Sequence, residues 1–249
     1  AVALACALGA ERCEIYTDVE GVYTADPRLV PAARCLAHIA YEEMLELAQQ
    51  GAKVMHPRAV ELAQVYNMPI LVRSSFTDAP GTWIGPGGAV ELRRRVQGIA
   101  HDTDVAKISL AGVPDRPGIA HAIFAPLAEA GINVDVIVQT ASFEGVTDLS
   151  FTVARDDLER AVELVRPVAE AIQATKLASA TDLAKVSIVG TGMQSTPGYA
   201  ARMFGILAKA GINIEMITTS DIRITCVIAR RDVERAVRAL HAGFELDKE

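Results

Sequence analysis

Apolar residues change their spacing several times along this chain, and each change predicts an element. "AVALACALGA" reads as a small-residue helix stopped by Gly9. "CEIYTDV" reads as a strand. "YEEMLELAQQGA" puts Met44, Leu45, Leu47 and Ala48 on the apolar side of a helix that ends at Gly51. "HPRAVELAQVYN" predicts a second helix, with Pro57 at a tolerated first-turn position. "MPILVRSS" predicts a buried strand, and "FTDAPGTWIGPGG" after it is rich in turn formers. Strand, helix, helix, strand in short pieces predicts an α/β domain with a mostly parallel sheet over residues 1–84. The Gly/Pro stretch from Gly81 to Gly88 marks its end, with a linker over 85–102.

The remainder repeats itself. "KISLAGVPDRPGIAHAIFAPLAEAGINVDVI" starts at Lys107 and "KVSIVGTGMQSTPGYAARMFGILAKAGINIEMI" at Lys185, 78 residues later. Gly118 and Gly198, and Asn133 and Asn213, are 80 apart, so repeat two has a longer first loop. "ARDDLERAVELV" and "ARRDVERAVRAL" are 75 apart, so repeat one has a longer hairpin, around Ser142 to Val146. Length changes confined to loops are those a structural duplication leaves. Each repeat reads strand, helix, strand, strand, helix. In repeat one, Ile119, Ile123, Phe124 and Leu127 share a helical face, and an Asp is placed to cap the second helix. This order predicts a ferredoxin-like βαββαβ domain in each repeat, over 103–177 and 178–249. The last strand of repeat two is expected to be missing or barely begun. The fold class is therefore α/β followed by α+β.

Composition narrows the function classes. Of 249 residues, 51% are hydrophobic and 22% charged, which is a folded chain. A net charge of −7 and 5% aromatic residues argue against nucleic acid as partner. The negative charge also argues against an anionic membrane surface, and no apolar run reaches the ~18 residues of a membrane span. Cys6, Cys13, Cys35 and Cys226 lack metal-site spacing and read as reduced thiols of a cytoplasmic protein. The five histidines show no ligand spacing, so no metal site is expected.

"YTDVEGVYTADPR", beginning at Tyr16, is a strand end running into a loop of acidic, aromatic and basic side chains, suited to a polar ligand. This stretch, with "YEEMLELAQQGAKVMHPRAVELA" and "PILVRSSF", resembles the C-terminal half of the amino-acid-kinase domain of aspartate kinases. "DRPGIAHAIFAPLAEAGINVDVIVQ" and "GMQSTPGYAARMFGILAKAGINIEMITTSDIRITCVI" are similar to the family's paired ACT regulatory domains. The resemblance implies transfer of the ATP γ-phosphoryl group to the β-carboxylate of aspartate. That is the first step toward lysine, threonine, methionine and diaminopimelate. It also implies feedback by lysine or threonine at the ACT domains, and homo- or hetero-oligomers formed through them. The family's N-terminal Lys-Phe-Gly-Gly-Thr-Ser loop is absent from this chain. The chain is therefore expected to be cut at both ends, to contain no catalytic residue and to be inactive alone. An alternative is a regulatory, amino-acid-sensing subunit. Ala40 stands where the family has a capping Ser, a loss of about 1 kcal/mol, and Asp221 stands where Glu is usual.

The resemblance implies ATP contacts at Thr17, Asp18, Tyr23, Arg28 and Lys53. Chemistry agrees: a ligand at a strand's C-terminal end, a flat ring for a base and two cations for phosphates. Magnesium is expected with ATP, held by residues outside this chain. Asp18 and Asp26 are also ordinary turn formers.

Effector contacts are expected in both repeats. In "PDRPG", Pro117 and Gly118 lead the backbone N–H groups of a helix start toward an α-carboxylate, while Asp115 suits an ammonium. Arg116, Ile119 and Ala120 flank them. Asn133 carries both donor and acceptor, beside Val134, Asp135 and Gln139. In repeat two the matching positions are Tyr199, Ala200, Asn213 and Ile214, with Ser220 and Asp221 as further acceptors. Gln194 and Ser195 replace Asp115, so the two loops are not expected to bind alike. An amino acid is expected to lie between the repeats, held at both termini.

Overall fold

Four short strands build the first sheet of the computed structural model, which describes residues 1–87, 96–142, 144–194 and 196–248. The middle of the expected linker, Phe143 of the long hairpin and Ser195 lie outside the described residues. β1 (Cys13–Thr17) pairs in parallel with β3 (Ile70–Ser74), and β2 (His38–Ala40) pairs in parallel with β4 (Thr82–Gly85). β3 and β4 run antiparallel, giving the order β1-β3-β4-β2.

Three helices cover this sheet: α1 (Val2–Leu8), α2 (Tyr41–Gln49) and α3 (Pro57–Val65). The face expected of α2 is the buried one, with Met44 and Leu47 packed among Val60, Ile70, Val72 and Ile84. Ala40 gives no cap oxygen, and Glu43 Oε2 still accepts Ala40 N at 3.4 Å, which is half of a capping box. α3 starts instead on His56, whose Nδ1 accepts Arg58 N at 3.2 Å.

Two compact units divide the chain. The larger unit takes Ala1–Asp102, Lys185–Ile228 and Asp232–Glu249. It therefore contains the first sheet and most of repeat two: α6 (Tyr199–Lys209), β9 (Met216–Ser220), β10 (Arg223–Ala229) and α7 (Val233–Gly243). Two long strands, β5 (Gly98–Pro114) and β8 (Lys176–Val189), give residues 98–102 and 185–189 to this unit. The strand order there is β5-β8-β10-β9. Thus the fourth strand of repeat two, sought downstream of α7, comes from upstream. Gln97 N donates to Val189 O at 2.7 Å at the head of that pairing. Each repeat needs an edge partner for its first strand, and the segment before repeat one is already extended and apolar.

The smaller unit, Thr103–Ala184 with Ala229–Arg231, holds repeat one in the order β6-β7-β5-β8. β7 (Val146–Val153) pairs antiparallel with both β5 and β6 (Ile137–Gln139). α4 (Ile119–Glu129) and α5 (Leu158–Ala171) pack on Ile108, Leu110, Leu149 and Phe151. Phe124 meets Phe151 edge to face at 5.1 Å. The expected Asp cap fails, because Asp157 makes no side-chain cap bond. A 3-10 turn, Arg155–Asp157, precedes the helix, and Asp104 Oδ1 accepts Arg155 N at 2.9 Å. Buried and exposed positions follow the same sequence over 131–140 and 211–220, as a duplication requires.

Gly51 joins α2 to the rest of the larger unit. Its φ is +106°, and a Cβ there would sit 2.1 Å from the backbone oxygen of His101. Gly51→Ala is expected to destabilise by roughly 1–3 kcal/mol through strain alone, with the clash added. Urea unfolding followed by the single tryptophan, Trp83, measures it; an unchanged midpoint would refute the packing described.

Candidate functional site

β1 ends at Thr17, where the chain leaves the sheet at the C-terminal end of a parallel pair. Thr17 Oγ1 donates to Asp18 Oδ1 at 3.0 Å, and Thr17 O accepts Ser75 N at 2.7 Å. The loop that follows is pinned from behind by Thr82. Its hydroxyl accepts Val22 N at 2.8 Å and donates to Leu36 O at 2.6 Å. A Cβ on Gly21 would lie 2.3 Å from that hydroxyl oxygen, so only glycine fits. Tyr23 bridges to Cys35, and its hydroxyl donates to Glu20 at 3.2 Å. Burial first, then the Glu20 charge, raises the Tyr23 phenol pKa, keeping it a neutral donor. Glu20 also accepts from Thr77 Oγ1, which ties the loop to the turn after β3.

Arg28 is exposed, and its guanidinium is held in the loop by Asp26. Nη2 donates to Oδ2 at 2.8 Å and Nε to Oδ1 at 3.0 Å, while Asp26 Oδ1 also accepts Arg28 N. The hydrogen bond from Arg28 is the first cause of the lowered Asp26 pKa. Lys53 lies exposed in the turn between α2 and α3. Arg28 and Lys53 both act electrostatically on His101 of β5, which sequence spacing did not single out. Burial chiefly lowers the His101 pKa; Asp26 and Asp102 oppose this, and Arg28 and Lys53 add to it. Asp18 also acts on the charge of Arg28. Thr17, Asp18, Tyr23 and Arg28 belong to one loop.

In repeat one, Asp115 and Arg116 are exposed, and Asp115 N donates to Gly145 O at 2.9 Å. Pro117 and Ala120 are exposed on either side of the α4 start, where Gly118 makes no side-chain cap bond. Ile119 packs in the core, so chiefly its backbone atoms remain for a ligand, and Val134 is half-buried against that core. Asn133, Asp135 and Gln139 are exposed.

In repeat two, Tyr199 opens α6 and stacks on Phe244 at 6.2 Å between centroids, with Ala200 beside it. Asn213 Nδ2 donates to Glu215 at 3.5 Å, and Ile214 is half-buried. Ser220 is engaged within the larger unit: its hydroxyl donates to Glu46 Oε1 on α2 at 3.2 Å. Asp221 accepts from Gln194 Nε2 at 3.3 Å.

Helix α2 carries polar residues that sequence reading passed over. Glu43 is fully buried, and its Oε1 accepts Thr191 N at 2.8 Å and Thr191 Oγ1 at 2.9 Å. Gln50 accepts from Ser187 Oγ at 3.2 Å. Glu43, Glu46 and Gln50 recur at helical spacing. That period was the available signal, but carboxylates at such positions usually face solvent.

Among the described residues no three His, Cys, Asp or Glu side chains gather to hold a metal, and no helix is long and apolar enough to cross a membrane.

The profile of the amino acid kinase family matches residues 1–74, and that of the ACT domain matches 108–166 and 186–244. Fold and profiles together define the C-terminal part of an amino acid kinase joined to two ACT domains. The chain is 50% identical to the aspartokinase of Pseudomonas aeruginosa over 99% of its own length, and spans 60% of the length of that relative. It is 44% identical to the regulatory subunit of aspartate kinase from Thermus thermophilus, covering 61% of this chain and 99% of that one, with a TM-score of 0.58. Aspartokinase III of E. coli in complex with aspartate and ADP is 29% identical, with a TM-score of 0.83 over 98% of this chain and 54% of that one. The same enzyme has been solved with lysine and aspartate. This chain belongs to the aspartate kinase family.

Two histidines of the larger unit give it a pH dependence. His241 on α7 is 2% exposed, and burial first depresses its pKa, as it does that of His101. An unfolded imidazole titrates near about 6.5, so the folded state resists a proton that the unfolded chain accepts. Stability is then fully present above about pH 6.5 and is lost as pH falls toward the lower folded values. The urea midpoint read by Trp83 is expected to be lower at pH 5.5 than at pH 7.5. Equal midpoints would refute this.

Proposed function

We propose that this chain carries the nucleotide side of an aspartate kinase active site together with its amino-acid-sensing repeats. The observation that carries the reading is the loop from Thr17 to Arg28 at the end of β1, with the Arg28 guanidinium braced by Asp26 and Lys53 exposed between α2 and α3. Phosphoryl transfer depends on positioning and on neutralising charge. The chemistry supplied by ATP is the γ-phosphoryl group, passed to the β-carboxylate of aspartate as the opening step of lysine, threonine and methionine synthesis. Tyr23 offers its ring to the base or sugar, and Thr17 and Asp18 supply a hydroxyl and an acceptor. Arg28 presents a planar guanidinium oriented by Asp26, and Lys53 a point charge; both suit phosphates. Magnesium accompanying ATP is assigned no ligands among these residues. E. coli aspartokinase III binds aspartate, ADP and lysine, and this supports the substrate and effector classes proposed.

Lysine or threonine is proposed to bind at the α4 and α6 starts, read by Asn133 and Asn213. A second reading, an amino-acid-sensing regulatory subunit of a larger assembly, draws on the match to nearly all of the Thermus thermophilus regulatory subunit. The extra sheet carrying Thr17 to Ser75 favours the kinase reading.

Calorimetry on the intact chain tests both parts. Arg28→Ala and Lys53→Ala are each expected to weaken ADP binding about tenfold, the scale of one lost charge-assisted contact. ADP affinity unchanged in both variants would sink the nucleotide assignment. Lysine or threonine is expected to release or absorb heat, and Asn133→Ala or Asn213→Ala to reduce it. No heat with either amino acid would remove the effector proposal.

A further inference from the structure

α7, the last helix of repeat two, grips the far side of the nucleotide loop at three points. His241 Nε2 lies 2.9 Å from Thr24 Oγ1, and both residues are buried. One turn earlier, Arg238 Nε donates to Leu29 O at 2.7 Å. Just past the helix, Leu246 O accepts from Arg34 Nε at 3.0 Å. All of these residues lie in the larger unit.

Thr24 is the knot of this contact. Its amide donates to Arg34 O at 2.9 Å, and its carbonyl accepts Ile99 N at 2.8 Å from the start of β5. Its hydroxyl oxygen accepts Arg34 N at 3.0 Å. The hydroxyl keeps its hydrogen and a second lone pair for His241, and the ring tautomer sets which way that bond runs. Tyr23 precedes Thr24 in the chain, and Asp26, which orients Arg28, follows two residues later. Both Thr24 and His241 are buried, so neither is a contact for nucleotide itself.

We propose that His241 is a positioning residue for the nucleotide loop: it holds Thr24 and thereby sets where Tyr23, Asp26 and Arg28 stand. The proposal rests on the nucleotide reading above. It places a kinase-side requirement on a side chain of the second ACT repeat, 217 residues along the chain.

The test compares the wild-type chain with His241→Ala, His241→Gln and Thr24→Val. ADP affinity is read by calorimetry, and amide hydrogen exchange is read over residues 22–30 and over the remaining larger unit. His241→Ala and Thr24→Val are each expected to weaken ADP about three- to tenfold, the scale of one buried hydrogen bond, and the double variant to lose little more. Exchange over 22–30 is expected to quicken in both. His241→Gln, whose side-chain amide can accept from or donate to the same hydroxyl, is expected to restore both readouts. Wild-type affinity and exchange in His241→Ala would overturn the proposal. So would a defect spread evenly over the larger unit and shared by His241→Gln. If the wild-type chain takes up no ADP, the nucleotide reading falls and exchange decides positioning by itself. Loop-confined quickening that glutamine reverses supports it; unchanged exchange overturns it.

Discussion

The backbone pairing of residues 97–102 with 185–189 is the constraint on which the larger unit depends. A three-stranded sheet of β8, β10 and β9 would leave the N–H and C=O groups along its first strand open. The chain closes that edge with the segment just before repeat one. The closing strand also carries Ala100 into the core beneath the first sheet, packs His101 against Gly51 and passes Ile99 N to Thr24. One strand thus completes an ACT sheet and supports the loop proposed for nucleotide.

Polar groups fasten the rest of that unit, and most are satisfied. Glu43 is buried without a cation, yet three donors meet its two oxygens. A carboxylate so placed costs desolvation and repays it only through good geometry. Thr191, which supplies two of the donors, heads the loop that leads to Gly198 and the α6 start. Ser187, Thr225 and Gln50 form a second buried group, with Ser187 Oγ 2.7 Å from Thr225 Oγ1. Arg223 Nε lies 3.4 Å from Glu46 Oε2, an ion-pair distance without hydrogen-bond alignment. α2 therefore serves two partners: apolar residues on one side meet the sheet, and polar ones meet repeat two.

Much of this was legible in the residues. Periodicity placed α2, α3, α4 and β3, because burying an apolar stripe needs a fixed spacing. The duplication was visible because core positions tolerate little change in volume while loops absorb insertions. The loop after β1 was legible as a polar-ligand loop from its turn formers, aromatic ring and cations, and the resemblance added the nucleotide reading. Hidden were the groups that act through distant partners. His101, His241 and Thr24 have no local pattern, since their roles depend on segments up to 217 residues apart. Asp157 misled, because an Asp before a helix signals a cap only when the backbone turns into the helix directly, and here a 3-10 turn intervenes.

The sequence by itself determined the kinds of element, the two repeats, the family and the loop that bears the candidate ATP contacts. The elements and repeats follow from short-range rules, in which spacing sets which face is apolar and turn residues set where chains reverse, whereas the family and the candidate ATP contacts follow from resemblance of whole motifs. Only the tertiary structure decided which strand completes repeat two, that Ser220 donates to Glu46, and that α7 holds Thr24. Those outcomes follow from matching unpaired backbone and buried polar groups across the fold, and many residues could satisfy them. Nothing in the local spacing names the one that does.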